Sequence, residues 1–300
     1  MKVLLTGSAG QLGQALIDSV PQGVELIATS RKDLDLADAQ ACRDAVRCHR
    51  PDWVLNAGAY TAVDQAETQP EIAHAVNAVA PQAFAESLRS EGGQLLQIST
   101  DFVFNGSQGF PYQPDQERNP LGVYGSTKAA GEAAVQEFLG DEERSFILRT
   151  SWVISPVGNN FARTMLRLHR QKTQFGVVAD QVGCTSSTLN LAQACWRVIE
   201  LAGQKSLPTV MHWSDAGAAS WYDVAVSVGR MGLDLGLLDS AAAVQPIVTS
   251  AYPTKAQRPT YSLLDCASTR KALDLEAEHW QQALWNVLKR LQNAAQSHCG

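Results

Sequence analysis

A glycine-rich segment directly follows the first apolar stretch of this chain and limits the folds available to it. Val3-Leu4-Leu5 runs into Thr6-Gly7-Ser8-Ala9-Gly10-Gln11-Leu12-Gly13, and helical spacing of apolar residues continues to Val20. A strand, a glycine turn and a helix in this order are typical of a dinucleotide-binding unit. There the middle glycine lets backbone N–H groups approach a pyrophosphate, and the positive helix end faces the phosphates. The alternative is a tight turn without a ligand. The predicted cofactor contacts are Gly7, Gly10, Gln11, Leu12 and Gly13.

Short apolar runs alternate with amphipathic stretches through the first half of the chain. The pattern predicts further strands over 24–28, 53–55, 95–99 and 146–148, and helices over 39–48, 71–90 and 129–138. Strands this apolar, separated by helices, indicate a parallel sheet that is buried on both faces. The predicted fold class is therefore α/β, a doubly wound (Rossmann) parallel sheet with a smaller C-terminal substrate-binding domain.

After about residue 152 the alternation becomes less regular. Helices are predicted over 161–171, 189–201, 221–229 and 278–295, a strand over 209–213, and an extended loop over 248–259. We expect residues 1–155 to form the NAD(P)-binding domain, with 188–215 returning to it. Residues 156–187 and 216–300 are expected to form the substrate-binding domain.

Composition and charge narrow the class of protein. The chain has 300 residues, 45% hydrophobic and 18% charged, with a formal net charge of −6, which is typical of a globular protein. It has no dense block of lysine and arginine, which argues against a nucleic-acid partner. Neither the few apolar residues after Lys2 nor any later run reaches the ~20 residues of a membrane span. Six cysteines without a CxxC pair indicate neither a zinc site nor a disulfide framework. We expect a cytoplasmic protein with reduced thiols.

The end of the second predicted strand bears on the choice of cofactor. An NAD site normally places an acid there, to accept from the ribose 2′-hydroxyl. This chain has Ser30 and Arg31 instead, whose donors and positive charge suit a 2′-phosphate. NADPH is therefore favoured, and NADH is the alternative if Asp33 or Asp35 contacts the cofactor. Asp35 and Leu36 are expected to line the adenine pocket.

A YxxxK motif begins the predicted helix that follows the fourth strand. Tyr124 and Lys128 share a helical face, so the phenol and the ammonium point into the same space. A nearby ammonium favours the phenolate, so we expect a pKa for Tyr124 below the usual value of ~10. The lysine can also bind the ribose of a nicotinamide nucleotide. The alternative is an exposed helical pair without a chemical role.

Hydroxyl groups lie where the fourth predicted strand ends, at Ser99 and Thr100. Open α/β sheets bind ligands at the carboxyl ends of their strands. Thr100 is therefore a candidate donor to a substrate carbonyl oxygen. With the glycine segment and the YxxxK motif, it predicts a hydride-transfer enzyme.

The chain resembles the extended short-chain dehydrogenase/reductases, and within them the dTDP-4-dehydrorhamnose reductases. The resemblance extends from Met1 to about Asp265, and the segment beyond is unspecific. The matching segments are 56–64 (NAGAYTAVD), 99–104 (STDFVF), 123–128 (VYGSTK), 149–153 (RTSWV), 158–161 (GNNF), 180–185 (DQVGCT), and Arg258-Pro259 with Ser262 and Asp265.

The resemblance implies NADPH-dependent reduction of the 4-keto group of dTDP-4-dehydro-L-rhamnose to dTDP-L-rhamnose. Tyr124 would be the proton donor, Lys128 its tuner and a ribose ligand, and Thr100 the carbonyl donor. Further residues implied at the site are Ala59, Tyr60 and Thr61 beside the cofactor, and Asp101, Tyr124, Trp152 and Asn160 at the nucleotide-sugar. Trp152 could equally be a core residue. Arg258 could pair with the diphosphate or be an ordinary surface arginine.

Departures from the family pattern qualify the resemblance. Some members hold Mg²⁺ at a dimer contact through a glutamate on the first helix, where this chain has Gln14-Ala15-Leu16, so no Mg²⁺ is predicted. Cys184 stands where proline is common in the family. A homodimer is one option for the oligomeric state.

Two other functions are open. A nucleotide-sugar dehydratase or epimerase has the same fold, but a dehydratase of this group needs an acid where Phe102 stands. An epimerase would tend to have an acid at Ser30 or Arg31. A non-catalytic NADP-binding regulatory subunit, like that of methionine adenosyltransferase, is the second alternative, because a fold does not by itself prove catalysis.

Overall fold

A computed structural model describes residues 1–140, 144–276 and 278–297, so the His298 and Cys299 of the sequence lie outside the described residues. The strands are β1 (Lys2–Thr6), β2 (Glu25–Thr29), β3 (Trp53–Asn56), β4 (Gln94–Thr100), β5 (Ser145–Thr150), β6 (Val153–Ile154), β7 (Gln174–Val178), β8 (Val182–Gly183), β9 (Ser186–Ser187), β10 (Val210–Trp213), β11 (Ala219–Ser220) and β12 (Ala243–Ile247).

Eleven α-helices are present in the described residues, together with short 3₁₀ turns at Asp101–Val103 and Thr249–Ala251 and a π-helical segment at Ala75–Val79. The helices are α1 (Gln11–Asp18), α2 (Ala39–His49), α3 (Val63–Ala66), α4 (Pro70–His74), α5 (Ala80–Glu91), α6 (Val123–Leu139), α7 (Phe161–Gln171), α8 (Thr188–Leu201), α9 (Trp221–Asp234), α10 (Ala267–Leu273) and α11 (Trp280–Ser297).

A six-stranded sheet forms the centre of the molecule, in the order β2-β1-β3-β4-β5-β10. Every pairing in it is parallel, and β3 and β5 are buried along their whole length. One face packs against α1 and α8 through Leu16 and Leu191. The other packs against α2 and α5 through Val46 and Phe84. The predicted doubly wound parallel sheet is confirmed.

The strand order places β1 between β2 and β3, so the chain reverses its direction of winding there. Helices that follow strands on the two sides of such a point leave a crevice above the carboxyl ends of the strands. The glycine segment after β1 and the hydroxyls at the end of β4 both lie at this edge. The topology therefore brings together residues that are far apart in sequence.

A second apolar cluster lies apart from the sheet. It joins α7, α9 and α11 with the parallel pair β7 and β12, and its centre includes Met165, Val228 and Leu284. Residues 248–259 contain no strand or α-helix, in agreement with the predicted loop, although Thr249–Ala251 forms one 3₁₀ turn.

The predicted helix over 71–90 is interrupted. Helix α4 passes into the π-helical segment and then into α5. Pro81 lies in the first turn of α5 and has no N–H to donate to the carbonyl oxygen of Asn77, four residues earlier, which favours a break in the regular ladder. The sequence also indicated none of the two-residue strands, because two residues carry no periodicity.

Across the described residues, every helix is too short or too polar to span a lipid bilayer.

Candidate active site

A cleft of about 760 Å³ opens above the carboxyl ends of β1, β3 and β4. Its floor is the glycine segment, whose tight turn depends on missing side chains. Gly7 has φ +68°, and a Cβ atom there would lie 2.7 Å from the Cα atom of Gly58. A Cβ atom on Gly13 would collide with the carbonyl oxygen of Gly7. Glycine is therefore needed for the turn at Gly7 and for close helix packing at Gly13.

The cleft fits a dinucleotide. Helix α1 begins at Gln11, and its N-cap Gly10 has no side chain to occupy the free N–H groups of the first turn. These N–H groups and the positive end of the helix therefore remain available to a pyrophosphate. Sequence-predicted cofactor residues that line the cleft are Gly7, Gly10, Gln11, Leu12, Gly13, Arg31, Asp35, Leu36, Ala59, Tyr60 and Thr61.

Ser30 does not line the cleft with the others. Its hydroxyl donates to the carboxylate of Asp33 at 2.7 Å, and its backbone N–H donates to the same oxygen. These hydrogen bonds hold the pKa of Asp33 below its usual range. The Ser30 hydroxyl would have to rotate away from Asp33 to donate to a 2′-phosphate, and this contact stays a prediction. Arg31 lies at the rim, with its side chain 74% exposed and 3.8 Å from Asp35.

Asn77 was not predicted and holds one wall of the cleft in place. Its side-chain oxygen accepts from the backbone N–H of Tyr60 at 2.9 Å, and its amide donates to the carbonyl oxygen of Tyr60 and to Thr127. Asn77 thus joins the loop of Ala59, Tyr60 and Thr61 to helix α6. Its position in the π-helical segment is a structural signal that sequence periodicity does not contain.

Helix α6 begins at Val123, so Tyr124 and Lys128 lie on its first two turns and both line the cleft with Thr100. The structure therefore brings together the three residues predicted as catalytic. The ring of Phe102 packs edge-on against that of Tyr124, with 5.6 Å between centroids. The ammonium of the buried Lys128 donates to the carbonyl oxygen of Ile98 at 2.6 Å.

The prediction of a pKa for Tyr124 below its usual value is wrong for this arrangement. Burial and, to a smaller degree, the charge of Asp101 raise the pKa of Tyr124 to about 12, although a hydrogen bond with Thr100 opposes this. Burial also lowers the pKa of Lys128 to about 8, against the opposing effect of Glu132. The phenol of Tyr124 therefore stays protonated at neutral pH, and the ammonium of Lys128 loses its charge as the pH rises through about 8.

Asp101 is buried beside Thr100 at the end of β4. The Thr100 hydroxyl donates to one of its carboxylate oxygens at 3.0 Å. Among the described residues, the other oxygen has no partner of good hydrogen-bond geometry, although the Ser262 hydroxyl helps to lower the pKa of the carboxyl. Burial outweighs these interactions and raises the pKa of Asp101 to about 6. An acid with unused acceptor capacity thus faces the ligand space.

A second cavity of about 350 Å³ adjoins the cleft. Four residues line both spaces, and they are Phe102, Trp152, Trp221 and Arg258. Trp221 is a site residue that sequence analysis missed, because it lies on α9, far from any motif. Its only sequence signal was that it begins a predicted helix.

Arg258 and Asn160 are each held by hydrogen bonds. Arg258 forms a two-point ion pair with Asp64 on α3, at 2.8 and 3.2 Å, so part of its charge is already neutralised. Asn160 does not line either cavity. Its oxygen caps α7, and its amide donates to Gln11 and Ser155. The polar atoms of Asn160 are thus used within the protein, and its contact with a substrate stays a prediction.

No cluster of three or more His, Cys, Asp or Glu side chains in the described residues could hold a metal ion. Cys184 is buried, and its thiol donates to the carbonyl oxygen of Asp215 at 3.1 Å. Burial raises the pKa of this thiol to about 12. It serves as a small packing residue in the second apolar cluster.

Comparison with known proteins agrees with this geometry. The family model described as the RmlD substrate binding domain matches residues 1–293. A dTDP-4-dehydrorhamnose reductase of Streptomyces griseus is 40% identical over 286 residues, which are 94% of this chain and 91% of that protein.

Two solved structures share the whole fold. The dTDP-4-dehydrorhamnose reductase of Clostridium acetobutylicum has a TM-score of 0.88 at 34% identity, covering 97% of this chain and 100% of its own. That of Bacillus anthracis, solved in complex with NADP, has a TM-score of 0.88 at 30% identity, covering 96% and 99%. The chain therefore belongs to the family of the dTDP-4-dehydrorhamnose reductases, which confirms the predicted resemblance and the prediction of an NAD(P)H-dependent oxidoreductase.

Proposed function

We propose that this protein uses NADPH to reduce the 4-keto group of dTDP-4-dehydro-L-rhamnose to give dTDP-L-rhamnose, with Tyr124 as the proton donor. The observation that carries the proposal is the convergence of Thr100, Tyr124 and Lys128 on one cleft above the glycine segment. Thr100 comes from β4, and Tyr124 and Lys128 come from α6. If the glycine segment were only a tight turn and the YxxxK motif only an exposed helical pair, these residues would have no reason to meet. The complete set also favours an enzyme over a non-catalytic cofactor-binding subunit.

The residues that would hold the cofactor are those of the glycine segment, the rim and the Ala59–Thr61 loop. When bound, the cofactor supplies a hydride to the substrate carbon. Arg31, at the rim of the cleft, would pair with a 2′-phosphate, and the NADP complex of the Bacillus anthracis relative supports NADPH as the preferred form. NADH remains the alternative, with Asp35 as the ribose contact.

Tyr124 would give its proton to the oxygen that becomes the new hydroxyl group. Its pKa of about 12 keeps the phenol protonated at neutral pH, so the donor is loaded before each turnover. A positioned general acid contributes roughly 10²–10⁴-fold to the rate. Lys128 would bind the ribose and stabilise the phenolate that remains.

Thr100 would orient the keto oxygen. A hydroxyl has a single hydrogen to donate, and in the structure that hydrogen is directed to Asp101. Donation to a substrate therefore requires the Thr100 hydroxyl to rotate away from Asp101. Asp101, with its unused oxygen, would then accept from a sugar hydroxyl.

The nucleotide end of the substrate would extend into the second cavity. Its lining includes the aromatic residues Phe161 and Tyr252, which suit a base ring, as ligand cavities usually combine apolar walls with a few polar groups. Arg258, shared by both spaces, would meet the diphosphate. Asp64 would keep its guanidinium oriented until the substrate arrives.

We also propose which parts of the chain bind each of the two ligands. Residues 1–155 and 188–215 would bind the cofactor, and residues 156–187 and 216–300 would bind the nucleotide-sugar. Support comes from β10, which pairs with β5 in the central sheet, and from the separate apolar cluster around α7, α9 and α11.

A direct assay tests the proposed function. The purified protein is incubated with NADPH and dTDP-4-dehydro-L-rhamnose, and the loss of the reduced nicotinamide signal is followed. We expect consumption of NADPH that depends on the sugar nucleotide. No consumption, or release of an epimer with no net loss of NADPH, would refute the proposal, and the latter would favour an epimerase.

A further inference from the structure

Trp152 has an unusual backbone conformation at the junction of the cleft and the second cavity. Its φ angle is +44°, in the left-handed region that bulky side chains rarely adopt. Two hydrogen bonds hold the backbone here. The Ser151 hydroxyl donates to the carbonyl oxygen of Cys184 at 2.7 Å, and the backbone N–H of Ser186 donates to the carbonyl oxygen of Trp152. Strain of this kind persists only where the surroundings hold it, and it clusters at ligand sites.

One face of the Trp152 indole is covered by Trp221. The two rings are nearly parallel, with 3.7 Å between centroids and 11° between planes. Trp221 is itself fixed, because it opens helix α9 directly after a capping box formed by Ser220 and Asp223. Phe161, the first residue of α7, packs against Trp221 with 4.5 Å between centroids. The pair of indoles therefore rests on two helix ends.

The edge of the same indole occupies the space where Gly183 has no side chain. A Cβ atom on Gly183 would lie 2.7 Å from Cε2 and 2.8 Å from Cζ2 of Trp152. Gly183 is not among the residues with positive φ, so the backbone does not require glycine there and the indole does. Strand β8, which holds Gly183, pairs with β11, which leads into Trp221.

We propose that Gly183 and Trp221 are positioning residues, which hold the Trp152 indole as a flat wall and so set the orientation in which a sugar ring meets Tyr124. This inference rests on the proposed function, since it assumes a nucleotide-sugar that reaches from the cleft into the second cavity. A planar indole packs against the apolar C–H face of a pyranose. A wall that cannot rotate admits fewer orientations of that ring, which lowers the cost of productive binding.

The Gly183→Ala variant tests the geometry without removing a tryptophan. Two stacked indoles give an exciton couplet in the circular dichroism spectrum, and Trp221→Ala provides the spectrum without it. We expect Gly183→Ala to lose most of the couplet, because its new methyl group displaces the Trp152 ring. Gly109→Ala, where a Cβ atom meets nothing within 4 Å, is the matched control and should keep the couplet.

Steady-state kinetics test the consequence. We expect Gly183→Ala and Trp221→Ala to raise KM for the sugar nucleotide, or Kd for dTDP-L-rhamnose, by roughly two- to tenfold. Trp221→Phe keeps a flat ring and should recover much of this loss. The Kd for NADPH should stay at the parent value in all three variants. An unchanged Kd would show that the central sheet is folded in each of them.

The outcomes separate this inference from the proposed function. A parent protein that consumes no NADPH would refute the proposed function, while the couplet of Gly183→Ala would still test the geometry. An unchanged couplet in Gly183→Ala would overturn the inference. So would parent values of KM for the sugar nucleotide and of Kd for dTDP-L-rhamnose in Trp221→Ala.

Discussion

The Lys128 ammonium lies 2.6 Å from the carbonyl oxygen of Ile98, so a hydrogen bond joins this side chain of α6 to the end of strand β4. That bond fixes the ammonium beneath the cleft. It also explains why Lys128 can be buried, since a buried ammonium needs hydrogen-bond acceptors.

The pKa of Lys128 leads to a pH dependence. Burial lowers it to about 8, so the group is charged below that pH and becomes neutral as the pH rises through it. The charge that we propose to bind the ribose and to stabilise the phenolate is lost in the same range. We therefore expect kcat/KM to fall on the alkaline side with a midpoint of about pH 8. In Lys128→Arg this limb should disappear, because arginine stays protonated. A limb with the same midpoint in that variant would contradict the assignment.

Replacing Tyr124 by phenylalanine removes only the phenolic hydroxyl. We expect kcat to fall by roughly 10²–10⁴-fold, the contribution of a positioned general acid. The Kd for NADPH, measured by fluorescence titration, should change little, since the ring still packs against Phe102. Tyr222→Phe, on α9 and outside the lining of both cavities, is the control. A Tyr124→Phe variant of parental speed would mean that another group supplies the proton.

Arg31 is predicted to distinguish the two nicotinamide cofactors. Its side chain lies at the cleft rim with only a 3.8 Å approach to Asp35, so its donors can serve a 2′-phosphate. We expect Arg31→Ala to raise KM for NADPH roughly tenfold and to leave KM for NADH almost unchanged. Lys32→Ala, at the neighbouring exposed residue, should show no such difference. Equal losses for both cofactors in Arg31→Ala would rule out the contact.

The buried ion pair of Glu132 and Arg149 joins helix α6 to strand β5. Both side chains are buried, and Arg149 donates to both carboxylate oxygens at 2.9 and 2.7 Å. Removing one partner leaves a buried charge, which costs ~3–5 kcal/mol. We expect Glu132→Gln to lose that much stability in urea unfolding. Glu86→Gln, which breaks the more exposed pair with Arg43, should lose less than about 1 kcal/mol. Equal losses would contradict this account.

The parts of the site that could be predicted from sequence are those encoded by short, local patterns. Gly7, Gly10 and Gly13 follow a strand at fixed spacing, and Tyr124 and Lys128 are one helical turn apart. Residues that act through tertiary contacts carry no such pattern. Asn77 reaches Tyr60 from a π-helical segment, and Trp221 meets Trp152 only after β8 and β11 have paired.

Predictions of single-residue roles were weaker where a side chain had a partner within the protein. Ser30 is bound to Asp33, and Asn160 is bound to Gln11 and to its own helix. Of these partners, Gln11 is 149 residues from Asn160 in the chain and could not be inferred from spacing. The same holds for the raised pKa of Tyr124, because burial depends on the folded surroundings and not on the YxxxK motif.

The transfer of hydride to the sugar tests the central claim most directly. The protein is incubated with dTDP-4-dehydro-L-rhamnose and NADPH that carries deuterium at both hydrogen positions of the reactive carbon of the nicotinamide, and the product is examined by NMR. The account predicts dTDP-L-rhamnose with deuterium at C4 of the sugar. A product without deuterium at C4, or unchanged substrate, would contradict it.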